Sequence, residues 1–331
     1  MYPNERQTAV QAVLEACRLC RAVQARLVSE DTLKKKDESP VTVADFGAQA
    51  IVSAELAAAF GDEPLVGEED AAALRNPANA TLAEQVFAHV RALRPADTAE
   101  AILAAIDRGR HPGGAGSRYW TLDPIDGTKG FLRGDQYAVA LALIERGQIV
   151  VGVLGCPSLP LHAVDPHGPR GCLFTAVRGE GTTVRPIDGG NEHPIRVADV
   201  ATAAEAVVCE SVESAHSAHD DAAKIAGLLG ITAPPFRIDS QCKYAAVARG
   251  DASVYLRLPT RADYEERIWD HAAGWLVVKE ASGEVSDVYG RPLDFSLGRT
   301  LRNNKGVIAT SGRIHAEVIR AVGQVLPPRK G

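Results

Sequence analysis

No stretch of this chain reaches the ~20 consecutive apolar residues that a membrane-spanning helix needs. The first residues, Met1 to Gln7, include an acid and hold no apolar core, so a secretory leader is not expected. A basic excess is missing as well. Lys and Arg number 36 against 42 Asp and Glu, giving a formal charge of −6 and a pI near 5.9. Coating a nucleic acid needs the opposite balance. A small anionic substrate is not excluded, because bound metal ions can invert a local field. The six cysteines, at 17, 20, 156, 172, 209 and 242, are too scattered for a disulfide scaffold and favour a reducing compartment. Internal repeats and low-complexity tracts are absent. These absences leave a soluble, cytoplasmic protein as the expectation, with neither membrane nor nucleic acid as partner and its oligomeric state open.

What is present is globular. Hydrophobic residues make up 46% and charged ones 24%, the average of a packed soluble protein. At roughly 150 residues per domain, 331 residues suggest two. Apolar positions Val10, Val13, Leu14, Cys17, Cys20, Val23 and Leu27 follow one helical face, with Asn4 and Gln7 resembling a capping box at its start. A second helix is expected after Thr42, ending at Gly61. Tyr137 to Ile144 and Gln148 to Leu154 read as an antiparallel hairpin. From Ala206 short strands alternate with helical stretches, including a helix at His219 to Leu229, one at Ile268 to Ala281 and a strand at Val307 to Thr310. The expected class is α/β, with an α+β domain over residues 1–200 and an α/β domain over 201–331.

The strongest local signal is Asp123-Pro124-Ile125-Asp126-Gly127-Thr128. Magnesium takes six oxygens in an octahedron and shares them among carboxylates, waters and substrate phosphate. Two aspartates three positions apart face one point if the backbone turns sharply between them, and Pro124 and Gly127 favour such a turn. A plain surface turn has the same composition. Gly67-Glu68-Glu69-Asp70 follows a short apolar run, so it places an acid at a strand end or in a solvated turn. Trp269-Asp270-His271-Ala272-Ala273-Gly274 opens a small-residue helix, where Asp270 is equally an ordinary first-turn acid. Thr42-Val43-Ala44-Asp45 has the form of a helix cap.

Taken in order, these motifs resemble the inositol monophosphatase superfamily over most of the chain. That resemblance implies a layered α/β/α/β/α sandwich of the sugar phosphatase type and a phosphatase using two or three Mg2+ ions. It implies one ion held by Glu68, Asp123 and the Ile125 carbonyl, a second held by Asp123, Asp126 and Asp270, and a third near Glu68. It also implies that Thr128 and Asp45 orient the attacking water, so Asp45 moves from cap to catalyst, and that the Gly127 and Thr128 amides meet the phosphate. After Thr128 the chain continues Lys129-Gly130-Phe131-Leu132-Arg133-Gly134, where inositol monophosphatases usually have Thr-Asn-Phe. That segment, with Ser211 to Asp220, Asp239 to Tyr244 and Tyr255 to Pro259, is similar to the branch acting on 3'(2'),5'-bisphosphate nucleotides. The branch implies His216, Ser240, Lys243, Arg257 and Asp270 around the substrate and inhibition by lithium. Its expected reaction converts adenosine 3',5'-bisphosphate to AMP and phosphate, with some action on the sulfated nucleotide. An inositol or sugar phosphatase and a non-catalytic nucleotide sensor are the alternatives.

Weaker signals are read as structural. Cys17-Arg18-Leu19-Cys20 lies on an amphipathic helix with no second pair nearby, so it is read as core packing. Gly109 to Gly116 lacks the spacing and lysine of a phosphate loop and is read as mobile. Pro327 to Lys330 reads as a frayed tail.

Overall fold

The protein is described here by a computed structural model covering residues 1–29, 39–163, 165, 167–212, 219–261 and 263–326. Helix α1 spans Pro3–Ser29. Pro3 suits a first helical position, where its missing N–H is not needed. Asn4 therefore lies inside the helix instead of capping it, and the Arg6 amide bonds the Tyr2 carbonyl at 2.9 Å. Val13, Cys17, Cys20 and Val23 are buried as their spacing predicts.

Helix α2 spans Ser39–Phe60, so Thr42 and Asp45 stand within it and form no cap. The cap motif loses to burial. Val43, Ala44, Phe46, Ala48, Ile51, Val52 and Leu56 are all buried, and packing of those faces stabilises the helix. Thr42–Phe60 is long and apolar enough to cross a membrane, but here it packs against α1 and the sheet below as a core helix.

The first sheet runs in chain order: β1 (Leu65–Gly67), β2 (Arg118–Asp126), β3 (Ala138–Glu145), β4 (Gln148–Pro160), β5 (Arg170–Val177), β6 (Gly181–Pro186) and β7 (His193–Ile195). Strand β1 is parallel to β2 and the later neighbours are antiparallel, with β3 and β4 forming the expected hairpin. Side chains alternate between two layers, as a pleated strand requires. Leu122, Val139, Leu141 and Leu143 join α1, α2, α3 (Ala80–Leu93) and α4 (Ala99–Asp107) in one core. Ala138, Ala140 and Ala142 face the other way, toward α7 (Cys242–Arg249) and α8 (Ala272–Glu280). Those small side chains let α8 approach closely.

The second sheet holds β8 (Val208–Glu210), β9 (Phe236–Arg237), β10 (Val254–Arg257), β11 (Glu284–Ser286) and β12 (Val307–Thr310), in the order β11-β12-β10-β8-β9. Tyr255, Val307 and Ala309 face α7 and α8, while Val254, Leu256 and Ile308 face α6 (His219–Leu228) and α9 (His315–Val325). The layers are thus helix, sheet, helix, sheet, helix. A single buried cluster runs from the first sheet through α7 and α8 into the second. Helix α8 starts at Ala272 and not at Ile268, which leaves Trp269, Asp270 and His271 in the turn before it. Asp270 is therefore not a first-turn acid.

Candidate active site

The short parallel pairing of β1 with β2 sets Gly67 beside Leu122, so Glu68 emerges level with Asp123. The Glu68 amide donates to the Leu122 carbonyl at 3.3 Å. The sharp turn expected between Asp123 and Asp126 is absent, and a β-bulge replaces it. On β3, Asp123 lies opposite Ala140 and Asp126 opposite Ala138, so three steps on β2 match two on its neighbour. In a regular strand, residues three apart point to opposite faces; the extra residue returns both carboxylates to one face. Pro124 fits there because a bulge leaves a ladder N–H unneeded. Ile125 meanwhile buries its side chain in the core on the opposite face, 2% exposed.

Gly127 follows at φ +93, and a Cβ there would come 2.8 Å from the Ser240 Cβ, so glycine is required on two counts. Helix α5 (Thr128–Arg133) starts immediately after it, with the Phe131 amide bonded to the Gly127 carbonyl at 2.9 Å.

From the other side come Asp270 and the α7 segment. The Gln241 amide donates to Asp126 Oδ2, and the Gln241 side chain joins the Trp269 carbonyl (2.8 Å) to the Gly274 amide (3.0 Å). Ser240 has φ +64, uncommon for a non-glycine residue and consistent with a constrained site. Lys243 is buried, with Nζ donating to Ser211 Oγ at 3.1 Å and lying 5.3 Å from the Tyr255 ring centre. Burial pulls its pKa down, and Asp126 opposes that. Arg257, at the end of β10, donates to Asp270 Oδ2 at 3.1 Å and pairs through Nε with Glu266 Oε2 at 2.8 Å. Burial alone would raise Glu266, but Arg257 and His271 outweigh it and hold that carboxyl at about 2.

The electrostatics of the acids run the other way. Burial, then Asp270, Glu69 and Asp126, lift Glu68 to about 8 despite a hydrogen bond with Asp123. Burial and Asp270 raise Asp126 to about 6. Asp123 is pushed far up by burial and by Glu68, Asp126, Asp270 and Asp45. Burial, Glu69 and Glu68 raise Asp45 likewise. Each carboxylate is destabilised by its neighbours, a load that divalent cations relieve. Asp123 Oδ1 is buried with no hydrogen-bond partner, a lone pair facing inward. All donors are hard oxygens. This set fits magnesium.

A cleft of about 610 Å³ opens over Asp126, Thr128, Asp270, Ser240, Lys243 and Arg257. Two of the expected acids, Asp126 and Asp270, and both expected cations therefore meet at one opening. Glu68 and Asp123 do not line it, but the charges of Asp126 and Asp270 repel both. His216 lies outside the described residues. Lys129 and Leu132 line the cleft, whereas Arg133 pairs with Asp135 and Asp239. Sequence reasoning missed Gln49, Gln241 and Arg299, whose side chains bond backbone groups, and Glu266, which bonds the Arg257 and His271 side chains.

A model described as the inositol monophosphatase family matches residues 4–326. The 3'(2'),5'-bisphosphate nucleotidase of Schizosaccharomyces pombe is 46% identical, over 98% of this chain and 96% of its own. The enzyme of the same name from Emericella nidulans is 44% identical, over 98% and 99%. Among solved structures, an inositol monophosphatase from Zymomonas mobilis aligns over 97% of this chain and 98% of its own, with a TM-score of 0.64 at 19% identity. At that identity the likeness shows the fold.

Proposed function

The chain belongs to the inositol monophosphatase family, and from that premise we propose that it hydrolyses the 3'-phosphate of adenosine 3',5'-bisphosphate to AMP and inorganic phosphate. The observation that carries this reading is one cleft with two kinds of wall. Its acids suit a metal-bound phosphate, and its separate cations, Lys243 and Arg257, suit a second phosphate that inositol monophosphate lacks.

The family is one of metal-dependent phosphatases, generally using magnesium, which when bound supplies charge for the phosphoryl oxygens and lowers the pKa of water. Glu68, Asp123 and the Ile125 carbonyl would hold one ion, and Asp123, Asp126 and Asp270 a second; a third near Glu68 belongs to the same reading. The Thr128 hydroxyl accepts a hydrogen bond from the attacking water and donates its own to Asp45. Asp45 is buried among acids that raise its pKa, and in this reading it takes the water's proton through Thr128. Water adds to phosphorus as one of its protons passes toward Asp45, the bond from phosphorus to the 3'-oxygen breaks, and that oxygen takes one proton from solvent to leave as the ribose hydroxyl. The Gly127 and Thr128 amides steady the reacting phosphate. Lys243 and Arg257 take the 5'-phosphate, the arginine through a planar fork, with Ser240 and His216 completing the nucleotide contacts. Inhibition by lithium and action on the sulfated nucleotide are part of the proposal.

The test is phosphate release from adenosine 3',5'-bisphosphate with and without magnesium, and with lithium added. Magnesium-dependent release that lithium suppresses is expected. Much faster release from an inositol monophosphate would overturn the substrate assignment.

A further inference from the structure

Arg299 does not line the cleft, yet it links two segments that carry the site's acids. It lies on the loop between β11 and β12, half-buried. Its Nη2 donates to the Gly67 carbonyl at 2.6 Å, and its Nη1 donates to the carbonyls of Gly109 (3.0 Å) and His111 (3.2 Å). The face of the guanidinium covers the Trp269 ring, with its central carbon 4.7 Å from the ring centre. The Arg299 carbonyl accepts from the Ile268 amide at 3.1 Å. Gly67 immediately precedes Glu68, and Trp269 immediately precedes Asp270. One side chain therefore grips the residue before an acid of the first sheet and the residue before an acid of the second half.

The first of these segments is held from its other side too. Gln49 Nε2 donates to the Glu69 carbonyl at 2.6 Å and to the Ile106 carbonyl at 2.8 Å, and its Oε1 accepts from the Glu69 amide at 3.1 Å. A Cβ on Gly67 would lie 2.4 Å from Gln49 Oε1, so there is no slack in that direction. At the start of the loop Gly109 to Gly116, the Gly109 and His111 carbonyls are held by Arg299. Arg299 carries the link onward to Trp269. Its charge is attracted to Glu68 and Asp70, which offsets part of the repulsion among the acids. A planar fork stacked on an indole does all of this at once; a lysine point charge does not.

Resting on the reading of Glu68 and Asp270 as metal ligands, we infer that Arg299 is a positioning residue that fixes the separation of those carboxylates and so sets the site's affinity for divalent metal. It does this without touching metal or substrate. A binding constellation tolerates displacements of only about 0.5 Å before it loosens.

The experiment compares Arg299→Lys and Arg299→Met with the parent protein. Mn2+, visible by paramagnetic resonance, is titrated without substrate, and unfolding is followed in chelator. Arg299→Lys is expected to fold and to bind Mn2+ at least tenfold more weakly. The magnesium needed for half-maximal activity should rise by a similar factor, while KM at saturating metal stays within twofold. A lower unfolding temperature with unchanged Mn2+ affinity in the folded variant would show a merely structural role and overturn the inference. If Arg299→Met does not fold, Arg299→Lys still decides. Glu68→Gln and Asp270→Asn serve as controls. Parent-like Mn2+ binding in those two removes the ligand reading itself, and the inference with it. Loss of binding in the controls beside normal binding in Arg299→Lys removes the inference alone.

Discussion

The two walls of the cleft are built on opposite principles. Asp126 lines the cleft and belongs to a group of acids with Glu68, Asp123 and Asp45, in which burial and repulsion from neighbouring acids raise each carboxyl, although Lys243, Arg257 and the Gln241 amide favour the ionised form of Asp126. Lys243 and Arg257 face them already supported, the lysine on Ser211 and the Tyr255 ring, the arginine on Glu266 and Asp270. The acidic wall is left under tension for ligands that arrive with positive charge. The basic wall is prepared in advance for an anion, its side chains already ordered before substrate comes. Preparing both walls alike would neutralise the site.

The largest expected effect comes from breaking the acidic wall at its centre. Asp123→Asn should abolish phosphate release, by a factor of at least about 10³, while the metal-free protein stays folded. Its apparent stability in chelator should hold or rise, because a repelled buried carboxyl is gone. Full activity in this variant would remove the acids from the mechanism. Asp45→Ala comes next. A loss of about 10² to 10⁴ in kcat matches removal of a general base, with Mn2+ binding by resonance titration close to that of the parent. On the other wall, Lys243→Met should raise KM for adenosine 3',5'-bisphosphate about 10- to 100-fold, the worth of one charged hydrogen bond. Hydrolysis of adenosine 3'-monophosphate should barely change, and equal losses on both substrates would place the lysine at the reacting phosphate instead.

The smallest effect tests the support beneath the basic wall. Glu266 is held at about 2, below its ordinary 4.5, so its contribution to stability is present above pH 4.5 and is lost as pH falls toward 2. Glu266→Gln should cost at most about 3 kcal/mol near neutrality. It should also flatten the decline of stability between pH 4.5 and 2, as chemical denaturation at several pH values would reveal.

How far these walls were legible follows from what kind of fact each is. Pairing patterns and local conformations were readable: the hairpin of β3 and β4, the strand Val307–Thr310 and the left-handed Gly127 all carry their cause in adjacent residues. The acids and cations drew notice through their motifs, although spacing alone left each of them with an ordinary alternative, and the structure brings Asp126, Asp270, Lys243 and Arg257 to one cleft. The start of α2 was misjudged because a good cap motif at Thr42 competes with burial along the rest of the helix, and burial is set by partners far away in sequence. The bulge escaped because it is a property of two paired strands, visible only when Ala138 and Ala140 are set against Asp126 and Asp123. Gln49 and Arg299 were invisible for a similar reason. They bond backbone carbonyls, which every residue carries, and Arg299 does so across more than half the chain.

The bulge also makes the site depend on parity. If β2 paired with β3 as a regular strand with its full sequence kept and no bulge, every residue beyond Asp123 would follow the even alternation of the pleat. Asp126 would then swing toward the layer of α1 and α2, on the far side of the sheet from Gln241 and Arg257. Strand length and composition would be unchanged by such a slip, and the chemistry would be gone.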